Sequence, residues 1–136
     1  MMTITEFTDK NRDRFGIDLN KIMDAYNEYF KESAKVGDGA TVCWWSDSKA
    51  YTIVKRTAQT LTLRGCKAIL SPDFKPNFIP GGFCGTVINQ NEQTYSYEED
   101  ENGEIITARW SKVKRGFYWN GMYVKAGRSE FNDYNF

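Results

Sequence analysis

The chain has 136 residues, the size of one ordinary domain. Eighteen Lys and Arg balance eighteen Asp and Glu, so the general basic grip that nucleic-acid and anionic-membrane binders use is disfavoured. Histidine is absent, which removes serine–histidine and cysteine–histidine catalysis, the commonest metal ligand and the usual neutral-pH switch.

Hydrophobic residues at 40% and charged residues at 26% describe a globular chain, and aromatics reach 15%. Cys43, Cys66 and Cys84 are widely spaced with no CxxC, which reads as reduced thiols in a cytoplasmic protein and offers no metal site. There is no signal-peptide core and no apolar run of about 18 residues, so neither secretion nor a membrane span is expected.

In chain order, residues 1–16 read as a polar, weakly ordered arm. Its Arg12 and Arg14 are either solvated charges or a second anion site. Residues 17–36 read as an amphipathic helix with Asp18 as N-cap and Val36-Gly37 as stop; Leu19, Ile22, Met23, Tyr26, Tyr29 and Phe30 fall on one stripe. That stripe can pack on its own sheet or on a second copy. From residue 37 to 136 the pattern is β-rich. Ala40–Trp45, Tyr51–Arg56 and Thr60–Leu63 predict an antiparallel meander, with Cys66–Leu70 as a fourth short strand. Alternation places one of Trp44 and Trp45 inside and leaves the other at an interface.

Ser71–Gly85 holds all three prolines, Gly81-Gly82 and three phenylalanines, and is expected to be a long loop. It is either an Ω-loop plugging the barrel with its own aromatics or the wall of a ligand pocket with Phe83 as stacking face. Asn102-Gly103 predicts a hairpin joining Thr94–Glu98 to Ile105–Trp110, and Asn120-Gly121 a second joining Phe117–Trp119 to Met122–Val124. The tail from Ser129, with Phe131, Tyr134 and Phe136, should dock. Glu92–Glu104 is acidic and Ile105–Arg128 basic, which suits cross-strand pairing. Arg109, on the face opposite Trp110, is a candidate for holding an anion. The fold class expected is α+β, mainly β: an N-terminal helix, a small antiparallel barrel or meander and two C-terminal hairpins, in one domain.

No phosphate loop, dinucleotide fingerprint or zinc-protease motif is present, and Cys84 has no base beside it, so no catalytic residue is assigned. Several motifs together carry a resemblance: Gly37-Asp38-Gly39-Ala40-Thr41-Val42, the Ser46-Asp47 turn and Tyr51-Thr52-Ile53-Val54, then Pro80-Gly81-Gly82-Phe83 with Gly85. Tyr95-Ser96-Tyr97-Glu98 with Asn102-Gly103, Gly127-Arg128, Glu130-Phe131 and Asp133-Tyr134-Asn135-Phe136 complete the set. In this combination the chain, from about Gly37 onward, resembles small proteins of Firmicutes phages and prophages, and among them the Thoeris anti-defence family that sequesters cyclic ADP-ribose signals.

The resemblance implies a small β-rich domain that forms dimers or hexamers in the host bacterial cytoplasm. It implies binding of a glycocyclic ADP-ribose without cleavage, which starves an immune effector of its activator, and in some members a separate site for cyclic oligonucleotides. It places the stacking phenylalanine on Phe83, a pocket arginine on Arg109 or Arg128, and a polar contact on Asn91 or its neighbours. Thr86 stands where a histidine often follows the glycine in that family, a departure that weakens the carry-over if that histidine contacts the ligand. The residues alone are compatible with this ligand: Phe83 for a base, Arg109 and Arg128 for a pyrophosphate, Gly81-Gly82 backbone amides, and Asn89 and Asn91 for hydroxyls. No cofactor or metal is implied. The other reading is an SH3-like module of a mobile element that uses Trp44, Trp45 and Lys55-Arg56 to bind a protein or nucleic acid.

Overall fold

The computed structural model describes residues 1–15, 18–75, 77–79, 86–87 and 90–132. Three helical segments come first: α1 (Ile4–Lys10), α2 (Arg12–Phe15) and α3 (Leu19–Ser33). The strands are β1 (Gly39–Cys43), β2 (Ser48–Arg56), β3 (Thr60–Gly65), β4 (Lys67–Leu70), β5 (Phe78–Ile79), β6 (Thr86–Val87), β7 (Tyr95–Glu98), β8 (Ile105–Ser111), β9 (Gly116–Trp119) and β10 (Met122–Ala126). Six of them close an antiparallel barrel in the order β1-β10-β9-β8-β3-β2, while β4 pairs with β7 and β5 with β6. The mainly β class, the barrel and the helix before it are as the sequence predicts.

Alternation along β2, β3 and β8 turns Tyr51, Ile53, Leu61, Leu63, Ile106 and Ala108 inward, and Phe30 of α3 joins this core against Phe117 with ring centroids 5.7 Å apart. Arg109 and Trp110 do lie on opposite faces: Trp110 packs on the core and Arg109 is exposed. Asn120 (φ 50°) and Gly121 (φ 81°) both adopt the left-handed region, the turn that matches the twist of the β9–β10 hairpin.

The arm is not a loose one. Thr3 caps α1 by accepting the Glu6 amide at 3.2 Å, and Phe7, only 8% exposed, packs on Tyr26 and Tyr29 with both centroids at 5.4 Å. The Tyr26 hydroxyl donates to the Met2 carbonyl at 2.8 Å, and the Met2 amide donates to the Tyr29 hydroxyl at 2.7 Å. Polar composition hides this because a single aromatic, Phe7, docks the segment. The same contacts place much of the α3 aromatic stripe against its own chain, while Leu19 and Met23 stay exposed. Asp18 caps α3 as expected. The helix ends at Ser33, before Val36-Gly37, because Lys35 and Asp38 close a turn on each other through Lys35 N–H to Asp38 Oδ2 at 3.0 Å.

The hairpin predicted across Asn102-Gly103 does not form. β7 pairs with β4 (Leu70↔Tyr95 to Lys67↔Glu98) and β8 with β3 (Arg64↔Ile105 to Thr60↔Arg109). The two C-terminal hairpins are instead β8–β9 and β9–β10, which share β9. β3 offers β8 a barrel edge and a buried face, which a free two-stranded ribbon cannot match. Glu99–Glu104 is therefore an excursion between two ladders, opposite Gly65 and Cys66. It is folded back by Asp100, whose carbonyl and side chain accept the Gly103 and Asn102 amides, and sealed where Gly65 N–H donates to the Glu104 carbonyl at 2.9 Å. A Cβ on Gly103 would collide with the Gly65 carbonyl.

The strand expected to run to Trp45 stops at Cys43, and neither tryptophan is buried: Trp44 edges onto Trp119 at 6.3 Å and Trp45 is 96% exposed. Part of the expected Ser71–Gly85 loop is strand, since Phe78 and Ile79 pair with Val87 and Thr86. The tail docks as far as residue 132: Phe131 exchanges both backbone hydrogen bonds with Ser48, at 2.9 and 3.0 Å, and Glu130 accepts the Ala50 amide at 2.7 Å.

Replacing Phe7 by Ala removes the ring that ties α1 to α3. We expect a loss of about 2–4 kcal/mol in denaturant unfolding, with the β-sheet signal of the native state retained in water.

Candidate functional site

Gly127 leaves β10 in the left-handed region (φ 81°) and turns the chain across the mouth of β1. Arg128 follows. It lies over Gly39, where an added Cβ would stand 2.6 Å from Arg128 Cγ, so the absence of a side chain on Gly39 is what admits the guanidinium. On the outer face of the barrel, Gly39 of β1 faces Thr52 of β2, and Thr52 faces Arg64 of β3. Arg128 Nη2 reaches over the glycine and donates to Thr52 Oγ1 at 2.9 Å. The Thr52 hydroxyl in turn donates to Glu99 Oε1 at 2.8 Å. Arg64 Nη2 approaches Glu99 Oε2 at 3.3 Å and Arg128 Nη2 approaches Glu99 Oε1 at 3.4 Å. One carboxylate is thus shared by two guanidinium groups and a hydroxyl.

The Glu99 carboxyl is held below the usual carboxylate value, first by the Thr52 hydrogen bond, against a smaller upward push from burial, and then by Arg64 and Arg128. Arg64 Nε is buried and has no hydrogen-bond partner among the described residues. Cys66 Sγ sits 3.2 Å from Thr52 Oγ1, at the back of the cluster.

Arg128 also lines a half-open groove of about 470 Å³ between the N-terminal segment, α3 and β10. Met2, Met23, Tyr26 and Tyr123 give it apolar and aromatic surface, and Lys125 adds a second cation. The volume falls in the range of small-molecule sites. Burial pushes the Tyr123 phenol up to about 12 and raises that of Tyr26, so both are neutral donors near pH 7. The Tyr123 hydroxyl is committed to Asn27 Oδ1 at 2.5 Å, and Asn27 Nδ2 donates to the Arg115 carbonyl at 3.0 Å, which fixes the groove wall to α3. Burial raises the Cys43 thiol as well, which works against its acting as a nucleophile.

Of the residues singled out in the sequence, Arg128 stands in this site. Arg109 is exposed on β8 opposite Thr60, about 13 Å along the strand from Arg64 at about 3.3 Å per residue, and has no hydrogen-bond or ion-pair partner among the described residues. Asn91 is exposed in the 3-10 turn Gln90–Glu92, next to Gln93, which binds the backbone of Asn132 at 2.7 and 3.1 Å. Gly81, Gly82, Phe83 and Asn89 lie outside the described residues, as does Cys84. Arg64, Thr52 and Glu99 were not singled out in the sequence, although the acidic run containing Glu99 and the odd glycine at Gly39 were visible there. Among the described residues no group of three or more cysteine and acidic side chains is placed to hold a metal, and no helix is long and apolar enough to cross a membrane.

No family model matches the chain, and no curated protein or solved structure matches it.

Because the folded carboxyl of Glu99 lies below its unfolded value, its stabilising contribution is fully present above the ordinary value of 4.5 and is lost as pH falls through the folded value. Thermal melts of the wild type and Glu99→Gln should therefore differ most near neutral pH and converge as the pH falls below the folded value of Glu99.

Proposed function

We propose that this protein binds a small nucleotide-type signal of the cyclic ADP-ribose class, holds it intact and so withdraws it from a bacterial anti-phage pathway. The observation that carries the reading is the groove in which aromatic and methionine surface runs to two cations, Lys125 and Arg128. A cyclic dinucleotide-like messenger presents the complementary pair, an apolar base and a pyrophosphate. Guanidinium suits the pyrophosphate because its planar fork can take two oxygens at once. Sequestration asks for no acid–base pair, in keeping with a chain that lacks histidine. The resemblance of the motif combination to Thoeris anti-defence proteins suggests the class of ligand, and the groove is of a size to suit it.

Isothermal titration with cyclic ADP-ribose isomers tests this. We expect binding at micromolar concentration or tighter, about −8 kcal/mol or better, with intact ligand recovered after heating. Arg128→Ala should weaken it at least tenfold. Absence of binding at protein concentrations well above micromolar, or conversion of the ligand, overturns the reading.

A second reading has its own observation. Trp45 is 96% exposed, and beside it Trp44, Lys49, Tyr95 and Phe131 line a cleft of about 510 Å³. Exposed tryptophan of this kind suits a protein partner. If the SH3-like module reading holds, Trp45→Ala abolishes partner capture and leaves nucleotide titrations silent in both proteins.

A further inference from the structure

We propose that Arg64, Arg128 and Thr52 form a phosphate-class oxyanion site in which the chain's own Glu99 is a resident stand-in, displaced when the ligand's anionic group arrives. The proposal deepens the groove reading, because Arg128 belongs to both.

The first argument is stoichiometric. Two guanidinium groups converge on a single carboxylate, leaving the cluster with a net positive charge. Three other acids of the neighbourhood are engaged elsewhere. Glu104 lies with Lys49 at 3.7 Å, Asp38 accepts the Lys35 amide at 3.0 Å, and Glu130 accepts the Ala50 amide.

The second argument is geometric. A guanidinium that is well matched to a carboxylate uses two parallel hydrogen bonds of about 2.7–2.9 Å. Here each arginine reaches Glu99 through one nitrogen only, at 3.3 and 3.4 Å. Arg64 Nε is left buried and without an acceptor among the described residues, a costly state for a charged donor. Glu99, placed to take the Thr52 hydroxyl and one nitrogen from each guanidinium, leaves that orphan nitrogen unserved. A tetrahedral phosphate has the further oxygens to serve it.

The third argument concerns how Glu99 is held. Its side chain is 53% exposed, whereas those of Arg64 and Arg128 are 28% and 26% exposed. The stand-in therefore lies on the solvent side and the cations beneath. The excursion that carries it is closed independently, by Asp100 on Asn102 and Gly103 and by Gly65 on Glu104. Glu99 can leave without unfastening its loop. The bare Cα of Gly39 keeps Arg128 close to Thr52 throughout.

Titration of inorganic pyrophosphate into wild type, Glu99→Gln, Glu104→Gln and the double variants Glu99→Gln/Arg64→Ala and Glu99→Gln/Arg128→Ala tests the site, with circular dichroism to confirm the fold of each. We expect Glu99→Gln to bind at least tenfold more tightly than wild type, Glu104→Gln to match wild type, and both double variants to lose the gain. An unchanged Glu99→Gln, an equal gain in Glu104→Gln, or a gain that survives either arginine deletion overturns the proposal. A parallel titration with cyclic ADP-ribose separates the two readings. A pyrophosphate gain without messenger binding upholds the oxyanion site and removes the messenger assignment. Messenger binding that Glu99→Gln does not strengthen upholds the assignment and removes the stand-in.

Discussion

The pairing of β1 with β10 holds the rest of the molecule in place. Ala40 to Cys43 lie against Ala126 to Tyr123, and this ladder converts a six-stranded sheet into a barrel. Closure satisfies the backbone groups of both terminal strands, which an open sheet would leave as reactive edges. It also delivers Gly127 and Arg128 to the entrance of β1, where the Thr41 hydroxyl donates to the Gly127 carbonyl at 2.7 Å and accepts the Ser129 amide at 2.8 Å. Arg128 has a fixed station because the residues on either side of it are stitched to β1. The groove beside it depends on the same closure, since its walls are β10 and the helix that packs on the neighbouring β9.

The strands of the first meander and the β9–β10 turn were legible because their information is local. β-branched and aromatic runs mark Tyr51–Arg56 and Thr60–Leu63 as strands, and Asn120-Gly121 can hardly be anything but a tight turn. The Asn102-Gly103 turn was equally visible, and a turn does exist there. What local pattern could not specify is which strands the flanking segments choose. β7 and β8 each found a better partner in β4 and β3, so a turn signal that usually makes a hairpin makes an excursion instead. The docking of the N-terminal segment was hidden for a related reason: it rests on one aromatic, Phe7, meeting two tyrosines that lie far along the chain.

The candidate site was half visible. Arg128 entered through the Gly127-Arg128 motif of the resemblance, and the charge segregation of the C-terminal half anticipated that acids and bases would meet. Their meeting place was not the expected hairpin. Glu99 crosses to Arg64 and Arg128, and Glu104 to Lys49, contacts between segments that only the barrel brings together. Thr52 gave no signal, since a threonine in a strand is ordinary; its role comes from sitting between Gly39 and Arg64 in register. Arg109 illustrates the converse. It points outward, on the same outer face of the paired strands β3 and β8 as Arg64, but about 13 Å farther along, away from where the arginines gather.

The ladder that closes the barrel has a further consequence, in the order of events during synthesis. Its two strands are the first and last of the barrel in chain order, so it is the most non-local pairing among the described strands. At common translation rates β1 waits on the order of ten seconds for β10 to leave the ribosome. Until then the nascent chain carries a half-built sheet whose first strand has a bare flank, an invitation to chaperones. The arginine cradle cannot form in a product truncated before Arg128, however much of the meander it contains.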